Sequence, residues 1–288
     1  MAKLKMFRRS TNVRWWGQRC VRSYHVQEAH GAIFLWFAAT PDQQPEPLTF
    51  PEELADSDKY SNFLCTAAWK CNYQYALENV MDPMHGTYLH SSSHSMAEGD
   101  RKADMVLQPT KTGFIFEKKG QSGVNFDWVE LGNSGAYWMR LSIPYKKRFG
   151  PGGHFWIVGM VVPEDNDNCR VFFWRIRGVQ GWQRDLWRLC IATVWKNCTG
   201  KVLEQDRVVL ESLAPNARDH EYLYQHDVGL SRLRRDDAKS GERAAGRARR
   251  AAGSGLMNGL LTGKRIVITG AARGLGFSFC QSLRGAGR

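Results

Sequence analysis

Short runs of alternating apolar and polar residues fill the middle of the chain, at 105–107, 113–118, 124–130, 136–143, 154–162 and 170–177. A period of two puts one face of a strand in a core and the other toward water. Gly132-Asn133-Ser134-Gly135, Gly150-Pro151-Gly152-Gly153 and Asp165-Asn166-Asp167-Asn168 separate the runs and supply turn residues. The pattern predicts a half-buried antiparallel meander, with Phe155, Phe172 and Trp174 among its inward aromatics. Upstream, residues 23–37 give a strand signal punctuated by Gly31. The Pro- and acid-rich stretch 40–60 reads as a loop with one short helix at 51–56. Helical spacing governs 72–90 and 202–213, and in the latter Val202, Val209 and Leu213 share a face with Asp206. Strands with interposed long helices make this an α+β fold.

The chemistry concentrates in NYQYALENVMDPMHGTYLHSSSH, residues 72–94. Glu78 and Asp82 are four apart and Asp82 and His85 three apart, so they share one helical face. His90 follows His85 by five positions, which on an ideal helix turns it about 140° away. Both imidazoles meet only if the helix bends or stops between them, and Pro83 and Gly86 permit such a break. Asn79 flanks the group, while His94 lies beyond it and reads as a surface residue. Taken alone, the pair is compatible with two surface histidines beside a helix end. Asp206, on an apolar helix face, needs a cation or a good donor, because a lone buried carboxylate is costly. A core arginine would satisfy it as a metal ion would.

Composition narrows the classes. The chain has 288 residues, 43% of them hydrophobic, with eleven Trp and fourteen Phe, enough for a substantial core. No window is apolar enough for a membrane span, and MAKLKMFRRS lacks a signal-peptide core. Seven cysteines without a C-x2-C pair read as reduced thiols in a cytoplasm. The net charge of +12 lies wholly in the two ends. Residues 23–231 carry twenty basic and twenty-five acidic side chains, which argues against a nucleic-acid-binding face.

The run Glu78-Asn79-Val80-Met81-Asp82-Pro83-Met84-His85, then His90, and later Glu204-Gln205-Asp206, resembles the iron site of the aromatic-ring-hydroxylating, Rieske-type non-heme iron oxygenases, in their alpha subunit. The resemblance covers roughly residues 23–235. It implies a helix-grip catalytic domain in which His85, His90 and Asp206 hold ferrous iron as a facial triad. It further implies that Asp82 takes a catalytic part, linking a ligand histidine to the Rieske histidine of a neighbouring subunit. Glu78 and Asn79 would stand beside the metal residues. The implied reaction inserts dioxygen into an aromatic or polycyclic substrate, with NADH supplying electrons through a reductase and ferredoxin. The implied partners are Rieske-bearing alpha subunits in a trimer, with or without beta subunits; no nucleic acid or membrane is expected.

The family's [2Fe–2S] cluster needs C-x-H and C-x2-H pairs, and neither occurs in this sequence. Residues 1–38 therefore read as the end of a Rieske domain and 39–235 as the iron domain, expected to be inactive without a Rieske-bearing partner. Residues 236–256 read as an Ala/Arg/Gly linker. Residues 257–288 resemble the first strand and TGxxxGxG turn of the short-chain dehydrogenases, with Gly270, Gly274 and Gly276 as the dinucleotide-facing glycines; the fragment is too short to bind NAD(P) unaided. Between QRDLWR and VLEQDR the resemblance lapses over 190–201, as a wrong-frame reading of a gene would produce. Two other classes fit the pattern: a non-catalytic helix-grip remnant binding an apolar ligand without iron, and a zinc hydrolase using the same triad.

Overall fold

Seven strands pair antiparallel in the order β4-β10-β9-β8-β7-β6-β5. They are β4 (Ser61–Trp69), β5 (Met105–Pro109), β6 (Gly113–Lys118), β7 (Trp128–Asn133), β8 (Tyr137–Ile143), β9 (Phe155–Pro163) and β10 (Cys169–Arg177). The structure, a computed structural model, describes residues 2–3, 24–37, 44–92, 98–133, 136–144, 147, 150–193 and 196–239, with backbone only at 2–3 and 196–200. His94, the dehydrogenase-like segment with Gly270, Gly274 and Gly276, and most of the expected linker lie outside the described residues. Residues 236–239, assigned to the linker by composition, instead continue a helix over 228–239.

A second small sheet joins β1 (Ala2–Lys3), β2 (His25–Ala29) and β3 (Ala32–Trp36). His30 and Gly31 both take positive φ, 51° and 77°, as a two-residue hairpin turn requires. The hairpin lies on one face of the large sheet, where Trp174 Nε1 donates to the His30 carbonyl at 2.8 Å. Phe34, Phe50 and Leu54, the last from α1 (Glu52–Ala55), pack there with Trp138, Val158, Trp174 and Ile176. Arg140 binds α1 to the same face by pairing with Glu53 at 3.0 Å and Glu130 at 2.9 Å, and it lies over the rings of Trp128 and Trp156.

The helices occupy the opposite, inner face. They are α2 (Tyr73–Val80), α3 (His85–Leu89), α4 (Gly181–Ala192), α5 (Lys196–Glu211) and α6 (228–239). Odd-numbered residues of β8, β9 and β10 point inward: Met139, Leu141, Phe155, Val171 and Phe173 are buried there. Phe172 and Trp174 belong to the outer cluster, so only Phe155 of the three expected inward aromatics faces the helices. The hairpin and α1 cover the outer face around β10, which is why this strand is buried on both sides rather than half-buried.

Glu78, buried on α2, ties the end of the described chain to the core. Arg218 Nη2 donates to its Oε1 at 2.7 Å, and Arg234 of α6 reaches both oxygens at 2.8 Å. Arg234 also pairs with Glu221. Removing one partner of such a pair strands the others. Glu78→Ala is expected to cost about 3 kcal/mol of stability, read by urea denaturation, with faster hydrogen exchange in α6; unchanged stability would show that the network is only decorative.

Candidate metal centre

The chain breaks ahead of His85. Asn72 caps α2 by accepting from the Gln74 N–H at 2.9 Å. The helix ends at Val80, and Pro83 has no N–H with which to continue it. Asp82 then starts the next helix: its carboxylate accepts from the N–H groups of Met84 at 2.8 Å and His85 at 3.1 Å, the usual work of a capping acid. Its carbonyl accepts from His85 Nδ1. α3 runs only to Leu89, and His90 leaves helical geometry at φ −104°, ψ 21°. The expected break between the histidines is thus corrected: it precedes His85, and the helix stops at His90. The two rings meet edge to face, 5.2 Å apart.

Asp206 arrives on α5. Leu203 and Leu210, three before and four after it, pack against Trp69, Val171 and Phe173, so one buried stripe holds all three. The expected stripe of Val202, Val209 and Leu213 is corrected: Val209 and Leu213 are 43% and 39% exposed. Shape at the sheet, rather than hydrophobicity alone, selects the inward face.

Asp206 Oδ1 lies 3.1 Å from His90 Nε2 and 3.5 Å from His85 Nε2. Neither contact has the angles of a hydrogen bond, and Oδ1 is buried without a donor. His90 Nδ1 donates to Gln205 Oε1 at 3.0 Å, while His85 Nδ1 is held by the Asp82 carbonyl. With both Nδ1 positions engaged as donors, each Nε2 turns a lone pair toward the carboxylate oxygen. Three electron-rich atoms facing one another require a positive charge. Ligand atoms bound at right angles to one small divalent ion at about 2.1 Å stand about 3 Å apart; the carboxylate oxygen stands 3.1 and 3.5 Å from the two imidazole nitrogens, and all three atoms fall within 4.8 Å of one another. His85, His90 and Asp206 can therefore hold a metal ion.

The same closeness sets the charges. Burial pushes the Asp206 carboxyl up, but the facing imidazoles outweigh it and hold the group well below the usual carboxylate range. Burial pulls His85 down, and Asp206 and Asp82 together carry it above its usual value.

The remaining expected residues fall in different places. Asp82 is about one-third exposed and spends its oxygens on α3. Glu78 turns away to Arg218 and Arg234. Asn79 keeps its Nδ2 buried without a partner. Gln205, which holds His90, has no role in the sequence reading; its position beside Asp206 is the available signal. Lys118 is buried under α3, with Nζ 3.5 Å from Thr87 Oγ1 and 3.3 Å from Asn125 Oδ1.

Residues 69–251 match the family described as the vanillate O-demethylase oxygenase C-terminal domain. The chain belongs to this family. A vanillate O-demethylase oxygenase subunit from Pseudomonas sp. is 32% identical over 84 residues, which are 29% of this chain and 23% of that protein. The matched stretches span less than a quarter of the curated relatives' own length. In fold, the chain resembles the terminal oxygenase of carbazole 1,9a-dioxygenase from Nocardioides aromaticivorans, with a TM-score of 0.59 at 15% identity over 77% of this chain and 69% of that one. The reduced oxygenase–ferredoxin complex of carbazole 1,9a-dioxygenase gives 0.57 at 18% identity, covering 76% and 64%. The antiparallel sheet with helices on its inner face is thus the catalytic-domain fold of the Rieske oxygenases. Within the described residues of this family member, no helix is long and apolar enough to cross a membrane.

Two outcomes follow from the centre. Above the ordinary Asp value of 3.8, Asp206 stabilises the metal-free fold, and this is lost as pH falls below it. His85 contributes fully below its ordinary 6.5, and its share is lost as pH rises through its raised value. The metal-free chain should therefore draw most on this pair between about pH 4 and 6.5. Metal affinity should run oppositely, rising with pH as the proton on His85 ceases to compete; calorimetry showing pH-independent affinity and no proton release would contradict this. Gln205→Leu should weaken metal binding about 10- to 100-fold, checked by competition with a chelator, with no comparable loss of thermal stability.

Proposed function

We propose that the chain is the iron-bearing catalytic part of an aromatic-ring oxygenase, with His85, His90 and Asp206 holding one ferrous ion. The observation that carries this reading is the buried Asp206 Oδ1, without a donor and faced by two imidazole nitrogens. The donor set, two imidazoles and one carboxylate grouped on one side of an ion, is that of non-heme iron sites that keep positions open for dioxygen. When bound, such an ion supplies activation of dioxygen for hydroxylation or demethylation of an aromatic substrate.

This chain's own residues set the stage for that chemistry. Asp82 and Gln205 fix the two imidazoles by their Nδ1 atoms, so that both Nε2 atoms are ready as ligands. Asp206 brings one negative charge, and its burial beneath α5 keeps bulk water from it. The partly exposed Asp82 carboxylate would link His85 to the Rieske histidine of a neighbouring subunit and so carry electrons from that subunit toward the metal. Electrons come from a [2Fe–2S]-bearing partner, with a ferredoxin and an NADH-dependent reductase behind it. The oligomeric family association and a cytoplasmic setting fit this reading. The non-catalytic binder explains neither the stranded carboxylate oxygen nor the two oriented imidazoles.

Anaerobic loading should give about one ferrous ion per chain, with none of the visible absorption of a [2Fe–2S] cluster. Asp206→Ala and His90→Ala should each lower bound iron below a tenth of the parent value after desalting, because loss of one of three protein ligands opens the site. Full occupancy in either variant would defeat the assignment.

A further inference from the structure

The thiols of Cys71 and Cys169 meet inside the apolar cluster that seats α5, with their Sγ atoms 4.0 Å apart. Cys169 is fully buried and Cys71 is 6% exposed. The two lie 98 positions apart in the chain. Cys169 opens β10 opposite Trp69 of β4, and Cys71 stands two residues past Trp69, where the chain has left that strand. Burial explains each cysteine singly as a small apolar residue. Their pairing at a joint of the fold is a further fact.

Three elements meet at that joint. The Glu211 carboxylate, at the end of α5, accepts from the Lys70 N–H at 2.9 Å, one residue before Cys71. Asn72, one residue after it, caps α2 and donates from Nδ2 to the Asn166 carbonyl at 2.8 Å, just ahead of β10. Leu210 of α5 packs in the same cluster as both thiols. From here α2 leads toward His85 and His90, while α5 carries Asp206.

The chemistry open to the pair is narrow. Among the described residues, no third ligating side chain joins the two sulfurs; the one group of three is His85, His90 and Asp206. Two thiols in contact without a third ligand are suited to oxidation rather than chelation. Contact with Cys169 holds the Cys71 thiol below its ordinary value, whereas contact with Cys71, and then burial, push Cys169 up. Cys71 is thus the sulfur that ionises more readily, and the thiolate is the form that attacks an oxidant.

We propose that Cys71 and Cys169, reduced at rest, form a peroxide-responsive modification site that closes into a disulfide and fixes the start of α2 to the start of β10 beneath α5. The Cys71 thiolate attacks one oxygen of hydrogen peroxide, the O–O bond breaks, and the departing hydroxide takes up the proton that the thiol released. Cys71 is then a sulfenic acid. The Cys169 sulfur attacks it, the S–S bond forms and the S–O bond breaks, and the Cys169 proton leaves with the hydroxide as a second water. Two thiols give up two electrons, and one peroxide becomes two waters. Bonded sulfurs stand about 2 Å apart, so the pair closes by about 2 Å through side-chain rotation. A cross-link over so long a loop confines the unfolded chain strongly. The proposal is independent of the ion the centre holds and of its reaction.

The full chain, reduced and free of metal, is treated with a small excess of hydrogen peroxide, quenched with catalase, then alkylated and digested for mass mapping. A linked Cys71–Cys169 peptide should come from most chains. The melting temperature should rise by about 5–10 °C and return on addition of dithiothreitol, with amide exchange slowed in α2 and α5 of the linked form. Cys169→Ala should stop at the sulfenic acid, trapped by dimedone at Cys71. The comparison of one chain before and after reduction stands even where that variant fails to fold. Both thiols left free in the folded parent, Cys71 carried on to sulfinic acid there, or a linked chain that melts no higher than the reduced one would each overturn the proposal.

Discussion

Everything at the centre of this protein answers to one unfavourable juxtaposition. A carboxylate oxygen and two imidazole nitrogens lie within 4.8 Å of one another, Asp206 and His90 buried and His85 partly so, and with neutral rings all three present electron pairs. Without a positive charge among them the arrangement repels itself, and burial removes the water that would screen it. The surrounding chain holds the arrangement in place. Asp82 caps α3 and its backbone carbonyl accepts from His85 Nδ1, while Gln205 Oε1 accepts from His90 Nδ1. Two helices that are far apart in sequence are thereby locked to a single point.

The sheet is the platform for that lock. Leu203 and Leu210 seat α5 on Val171 and Phe173 of β10, and Met81, at the end of α2, is fully buried against Phe114, Phe116 and Phe126. The hairpin, α1 and the Arg140 network brace β10 and β8 from behind. Stiffness matters here, because ligand atoms displaced by an ångström no longer share an ion. Glu78, four residues before Asp82, serves the same end indirectly by clamping α6 to the helix that leads into the site.

Much of this was legible in the residues. The period-two runs place the sheet, and the family resemblance carried by Asp82, His85, His90 and Glu204-Gln205-Asp206 names the three converging groups. What the pattern missed depends on three-dimensional packing. Helical spacing groups Glu78 with Asp82 and His85, but the break at Pro83 separates them and the arginines of 218 and 234 claim the glutamate. A break between the histidines was expected from angles on an ideal helix; a capping aspartate and an early helix end solve the same problem differently. Near the end of α5 Val209 and the following Leu213 face water, because Leu203 and Leu210 fit the sheet and Asp206 lies between them. Gln205 stayed silent since an amide beside a ligand has no spacing of its own.

X-ray absorption at the iron edge of the anaerobically loaded chain addresses the central claim most directly. Ligation by His85, His90 and Asp206 predicts only nitrogen and oxygen neighbours, with the outer scattering of two imidazole rings, and no second iron. Sulfur neighbours, as binding at the buried Cys71 and Cys169 thiols 4.0 Å apart would give, or a spectrum without imidazole scattering, would contradict it.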